Sequence, residues 1–147
     1  MSYLLDTNVL LRWAIATDPL NQAICTALLR ASRAGDAVYV TPQNIIELWN
    51  VATRPADRNG LGMPHARAEG LVQMIEGVFN LLPDRPGIYL AWRRLVVAPG
   101  ASGRQVHDAR LAAVAMEYGI THIMTLNVAD FVRYPLGVVH PRDVPEP

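Results

Sequence analysis

Apolar residues along this chain fall into two alternating patterns. Short apolar runs bounded by turn residues, Ser2–Leu5, Ala37–Val40 and Thr121–Thr125, read as buried strands. Asn80–Leu82 and Gly137–His140 are shorter runs of the same kind. Longer amphipathic stretches between them predict helices over Val9–Ala16, His65–Val78 and Gly87–Val97. Asp18-Pro19 reads as a cap followed by a first-turn proline, with that helix running to about Ala34 and stopping at Gly35. Thr41-Pro42 opens another, which ends before Pro55. Ser102 and Gln105 form a capping-box pattern for a helix that ends near Tyr118, at Gly119.

Buried strands alternating with helices imply a parallel sheet covered on both faces. The expected fold is therefore α/β, with a three-layer α/β/α arrangement around four to five short parallel strands. The 147 residues suit one core, so residues 1–141 are expected to form one domain. Residues 142–147, rich in proline, are expected to be a loosely ordered tail. Arg54–Pro64 and Pro99–Gly103 read as loops.

Composition narrows the chemistry. The formal net charge is zero, which argues against one large basic face for nucleic acid. All 13 basic residues are Arg. The absence of Lys excludes Schiff-base lysine catalysis and a P-loop lysine. Phosphates would have to be held by arginine forks, backbone amides or metal. The one cysteine, Cys25, excludes an internal disulfide and a cysteine metal cage. No glycine-rich phosphate loop or G-x-S-x-G elbow is present. No apolar run is long enough to span a bilayer, and Met1-Ser2-Tyr3 does not open a signal peptide, so a cytoplasmic protein is expected.

Three acids then stand out. Asp6 ends the first strand, and ligands of open α/β sheets collect at strand carboxyl ends. Capping of the next helix by Asp6 or Thr7 is an equal alternative for that residue alone. Glu47 lies opposite the stripe of Ile45, Leu48, Trp49 and Ala52, on a polar face with Gln43, Asn50 and Arg54. Taken alone, Glu47 reads as a solvated acid. Asp108 heads an apolar helix and, with Ser102 as cap, falls in its second turn above Leu111, Ala112 and Ala115. A carboxylate over such a face needs a cation, and a metal would serve. Asn127 lies just past a strand end, as Asp6 does, and its amide oxygen can ligate metal. Asp130 reads first as a turn residue, with support of the acids as the other role.

This ordered set resembles the PIN domain, and within it the ribonuclease toxins of VapBC-type toxin–antitoxin modules. The resemblance runs from Leu4 to about Pro141. Leu5-Asp6-Thr7-Asn8-Val9-Leu10 is similar to the family's opening signature, and Ile45-Ile46-Glu47 to its second acid. Asp108-Ala109 is similar to its third, and Thr125-Leu126-Asn127-Val128-Ala129-Asp130-Phe131 to its closing element. It implies an endoribonuclease acting on tRNA or other structured RNA, a homodimer, and a small antitoxin that covers the active site. Asp6, Glu47 and Asp108 would hold Mg²⁺ or Mn²⁺ for phosphodiester hydrolysis, with Asn127 as a fourth site residue. Asn127 replaces an acid found in many members, so one firmly held ion, with a second recruited by substrate, is expected. Thr7 and Asn8 are expected to orient Asp6, and Thr125 to support the carboxylates. Arg54 is expected to contact RNA, ahead of Arg104 and Arg110. The same asparagine motivates a second reading, a catalytically silent RNA- or protein-binding module. A haloacid-dehalogenase-type phosphotransferase ranks lower, because Asn8 stands where that chemistry wants an aspartate.

Overall fold

A computed structural model describes all of residues 1–147. Five parallel strands form one sheet: β1 (Ser2–Leu5), β2 (Ala37–Val40), β3 (Asn80–Leu81), β4 (His122–Met124) and β5 (Gly137–Val139). Their spatial order is β3-β2-β1-β4-β5. The chain first builds outward from β1 to β3, then crosses back to place β4 on the free side of β1. The order therefore reverses between β1 and β4, where α/β sheets open a crevice at their carboxyl ends.

The helices are α1 (Thr7–Ala14), α2 (Asn21–Arg33), α3 (Pro42–Thr53), α4 (His65–Val78), α5 (Pro86–Val97), α6 (Gln105–Glu117) and the short α7 (Val128–Phe131). Period-2 side-chain alternation divides the core between the two sheet faces. Tyr3, Leu5, Val40 and Met124 pack with α1, α2, α3 and α4. Leu4 and Ile123 pack with α5, α6 and Phe131 of α7. This is the expected three-layer arrangement. Leu4, Leu5, Ile123 and Met124 are all fully buried, each contributing about 1.5–3 kcal/mol of apolar transfer. No helix is long and apolar enough to cross a membrane.

Three local expectations need correction. The second helix starts at Asn21, not at Asp18-Pro19, because Asp18 is engaged elsewhere. Its carboxylate accepts from Arg12 at 2.7 Å and from the Leu20 N–H at 2.8 Å. Asn21 meanwhile closes α1 by donating to the carbonyls of Arg12 and Trp13. At the head of α6, Gln105 accepts from the Ser102 N–H, but no side chain caps the helix, which begins only at Gln105. Asp108 consequently lies in the first turn, not the second. The segment after Pro141 packs against α2. Val144 is buried in the core, its carbonyl accepts from Arg30, and Arg30 also pairs with Glu146.

Candidate active site

Parallel register sets the two strand ends of the crevice side by side. Leu5 lies opposite Met124, so Asp6 and Thr125 emerge as neighbours. The Asp6 N–H continues the ladder by donating to the Met124 carbonyl at 2.9 Å. The Thr125 hydroxyl donates to Asp6 Oδ2 at 2.7 Å. It also accepts from the Asn127 N–H at 3.0 Å and from Asn8 Nδ2 at 3.4 Å. Asn8 Oδ1 accepts from the Leu126 N–H at 3.2 Å. Asn8 thus fastens the chain after β4 and reaches Thr125, not Asp6 itself.

Glu47 arrives from α3, whose first turn is set by a full capping box between Thr41 and Asn44. Asn44 is wholly buried and uses its amide twice more. It donates to the Leu5 carbonyl at 3.0 Å and to Thr7 Oγ1 at 3.1 Å. The Thr7 hydroxyl, with its lone pair so occupied, donates to Glu47 Oε2 at 2.6 Å. Thr7 was expected to orient Asp6; its hydroxyl serves Glu47, while its backbone N–H faces Asp6.

Asp6, Glu47 and Asp108 line one cavity of about 1150 Å³. Asn127, Asp130, Arg54, Arg104 and Arg110 line it as well. None of the ion pairs in the molecule involves Asp6, Glu47, Asp108 or Asp130. Burial pushes the Asp6 carboxyl up to about 6, with the charges of Asp108 and Glu47 adding to the rise and the Thr125 bond opposing it. Burial also raises Asp108, followed by repulsion from Asp130 and Glu47, while Arg104 and His107 pull the other way. Asp130, read from sequence first as a turn residue, therefore bears electrostatically on Asp108.

Unpaired acids that raise one another's affinity for protons also favour a cation, and an all-oxygen donor set suits Mg²⁺ or Mn²⁺. The carboxylates do not form a closed cage: no three His, Cys, Asp or Glu side chains are gathered tightly enough to hold an ion by themselves. Magnesium sites of one or two carboxylates completed by water need no such cage. By the chemistry of its donors, the cavity fits a hydrated divalent ion.

A model of the PIN domain matches residues 3–135. The chain belongs to the PIN domain family. Solved structures agree on the fold. VapBC2 from Rickettsia felis, bound to a promoter DNA fragment, shares 16% identity at a TM-score of 0.73, over 95% of this chain and 98% of that one. FitAcB from Neisseria gonorrhoeae shares 21% at 0.66, over 96% and 99%. VapC20 from Mycobacterium tuberculosis, a Sarcin-Ricin loop cleaving toxin, shares 19% at 0.61, over 82% and 86%. No curated protein gives a significant match.

Within this PIN domain, the arginines differ in freedom. Arg54 lines the cavity, but its Nη2 donates to the Asn59 carbonyl at 3.0 Å, and its buried Nε has no partner. Arg110 is held by Gln43 Oε1 at 3.2 Å and by Asp84 at 2.9 Å. Arg104 is exposed on the rim and has no ion pair. Two supporting roles escaped the sequence reading, those of Asn44 and Gln43. Asn44 carries a legible signal, since Thr41 and Asn44 have the spacing of a capping box. Gln43 lies one turn ahead of Glu47 on the same face, but its long-range partners are set by tertiary structure.

Proposed function

We propose that this chain is a Mg²⁺- or Mn²⁺-dependent endoribonuclease, the toxin of a VapC-type toxin–antitoxin pair. One observation carries the proposal: Asp6, Glu47 and Asp108, from three separate elements, line one cavity at the sheet's reversal point without an ion-pair partner. Asp6, Glu47 and Asp108 would hold the ion, with the Asn127 amide and Asp130 beside them. A bound divalent ion would acidify a water and neutralise charge on the scissile phosphate. Thr125 holds Asp6 in place, and Thr7 holds Glu47. Arg54, Arg104 and Arg110 supply positive charge on the same walls for the flanking phosphates.

Cleavage as the activity is supported by VapC20, a toxin that cleaves the Sarcin-Ricin loop. RNA as substrate, tRNA among the candidates, follows the family resemblance. The neighbouring VapBC structures support an antitoxin partner. A homodimer follows the family resemblance, and a cytoplasmic location follows the reading of the sequence.

The test compares wild type with Asp6→Asn and Asp108→Asn in RNA cleavage with Mg²⁺ or Mn²⁺, with and without EDTA. Chelator-sensitive cleavage abolished by both substitutions is expected. Equal activity in all three proteins, or none from folded, metal-supplied wild type on a broad RNA panel, would sink the proposal. Asn127 and the absence of a closed carboxylate cage would then favour the silent binding module.

A further inference from the structure

The geometry points to Gln43 as a positioning residue that holds Glu47 and the head of α6, with Asp108, in one constellation; this rests on the metal-dependent nuclease reading above. Gln43 is 9% exposed at the start of α3. Its Nε2 donates to Glu47 Oε1 at 2.9 Å and to the His107 carbonyl at 2.9 Å. Its Oε1 accepts from Arg110 Nη1 at 3.2 Å. One amide thus spends both protons and an oxygen lone pair on three groups, one on its own helix α3 and two on α6, and so ties the two walls of the site together. The His107 carbonyl belongs to the peptide whose nitrogen is that of Asp108, so the second bond fixes the backbone from which Asp108 projects.

The residue type follows from this demand. Two donors and one acceptor at the end of a three-carbon reach are available only from glutamine. Glutamate would accept from Arg110 but meet Glu47 and the His107 carbonyl with lone pairs. Turning the amide over would aim Nε2 at the Arg110 guanidinium, so the three partners also fix which way it faces. With Thr7 on Oε2 and Gln43 on Oε1, each Glu47 oxygen is anchored once and keeps a second lone pair free. That arrangement orients the carboxylate without using up its capacity to bind.

Gln43→Met keeps the volume and removes all three bonds. Gln43→Glu keeps the size and the Arg110 acceptor but removes both donations. Three measurements are made on wild type and both variants: folding by circular dichroism, binding of Mn²⁺ alone by electron paramagnetic resonance, and steady-state RNA cleavage. Partners that orient metal ligands typically account for 10- to 100-fold in affinity or activity. Gln43→Met is therefore expected to lose about 10- to 100-fold in kcat and about 10-fold in Mn²⁺ affinity, with KM within about 3-fold. Gln43→Glu is expected to lose kcat comparably, although its added charge attracts cations. If Gln43→Met fails to fold, Gln43→Glu carries the test. Wild-type kcat in Gln43→Glu, or unchanged kcat and Mn²⁺ affinity in folded Gln43→Met, overturns the inference alone. A wild type that neither binds Mn²⁺ nor cleaves RNA overturns the functional reading and this inference with it.

Discussion

Replacing Asp6 by Asn should make the metal-free protein more stable at neutral pH, not less. The native environment raises the Asp6 carboxyl from 3.8 to about 6, chiefly by burial and then by Asp108 and Glu47. A raised native value means that the folded state binds the proton more tightly than the unfolded chain does. The stability Asp6 confers is thus fully present below about pH 3.8 and is lost as pH rises through about 6. A shift of roughly two pK units corresponds to about 3 kcal/mol, withdrawn once Asp6 is ionised. Asn mimics the neutral acid in shape and keeps an oxygen for the Thr125 hydroxyl, so Asp6→Asn escapes that penalty. In EDTA at pH 7.5 the gain should be about 2–3 kcal/mol, or about 5–10 °C in Tm for a chain of this length. At pH 4 it should shrink to less than about 1 kcal/mol, because wild-type Asp6 is then protonated when folded. Saturating Mg²⁺ should stabilise wild type, by about 1.4 kcal/mol at ten times its Kd, and leave Asp6→Asn unmoved. Urea melts at several pH values, with and without Mg²⁺, measure all of this. An Asp6→Asn protein no more stable than wild type at pH 7.5, or a gain independent of pH, would refute the electrostatic reasoning.

Thr125→Val removes the bond that favours ionised Asp6, so the acid limb of the cleavage pH profile should move to higher pH. An unmoved limb would show that Thr125 does not tune Asp6. Arg54→Glu should weaken RNA binding and flatten its salt dependence, as seen in filter binding across salt concentrations; unchanged affinity would remove Arg54 from the interface. Ile123→Ala, in the fully buried layer between the sheet and α6, should cost about 2–5 kcal/mol in urea melts, and a loss below 1 kcal/mol would mean that the layer collapses around the gap. Gly119, which ends α6 at φ +66°, should lose about 1 kcal/mol as Gly119→Ala by the same assay, and a gain would contradict the strain argument.

How much of this was legible in the sequence depends on the range over which each residue acts. Strands, helices and the alternation that sends Leu4 and Leu5 to opposite sheet faces follow from local hydrophobic period, and β1, β2 and α4 match their expected spans. The starts of α2 and α6 did not follow, because side chains choose among competing backbone partners there. Asp18 binds Arg12 and the Leu20 N–H, and Ser102 donates its N–H to Gln105 while its hydroxyl caps nothing. The acids were visible as residues that lacked a local reason for being charged. Their supports were less visible, since most of their bonds form only once the fold brings distant parts of the chain together. Thr125 reaches Asp6 across 119 positions of sequence, and Gln43 reaches His107 across 64. Asn44 shows both scales in one side chain. Its capping of α3 with Thr41 is local and could be read from spacing, whereas its grip on Leu5 and Thr7 exists only because β1 and β2 are paired. The same parallel pairing that buries Leu4 and Leu5 therefore brings Glu47 to the cavity that Asp6 lines, which makes the fold itself the outermost support of the site.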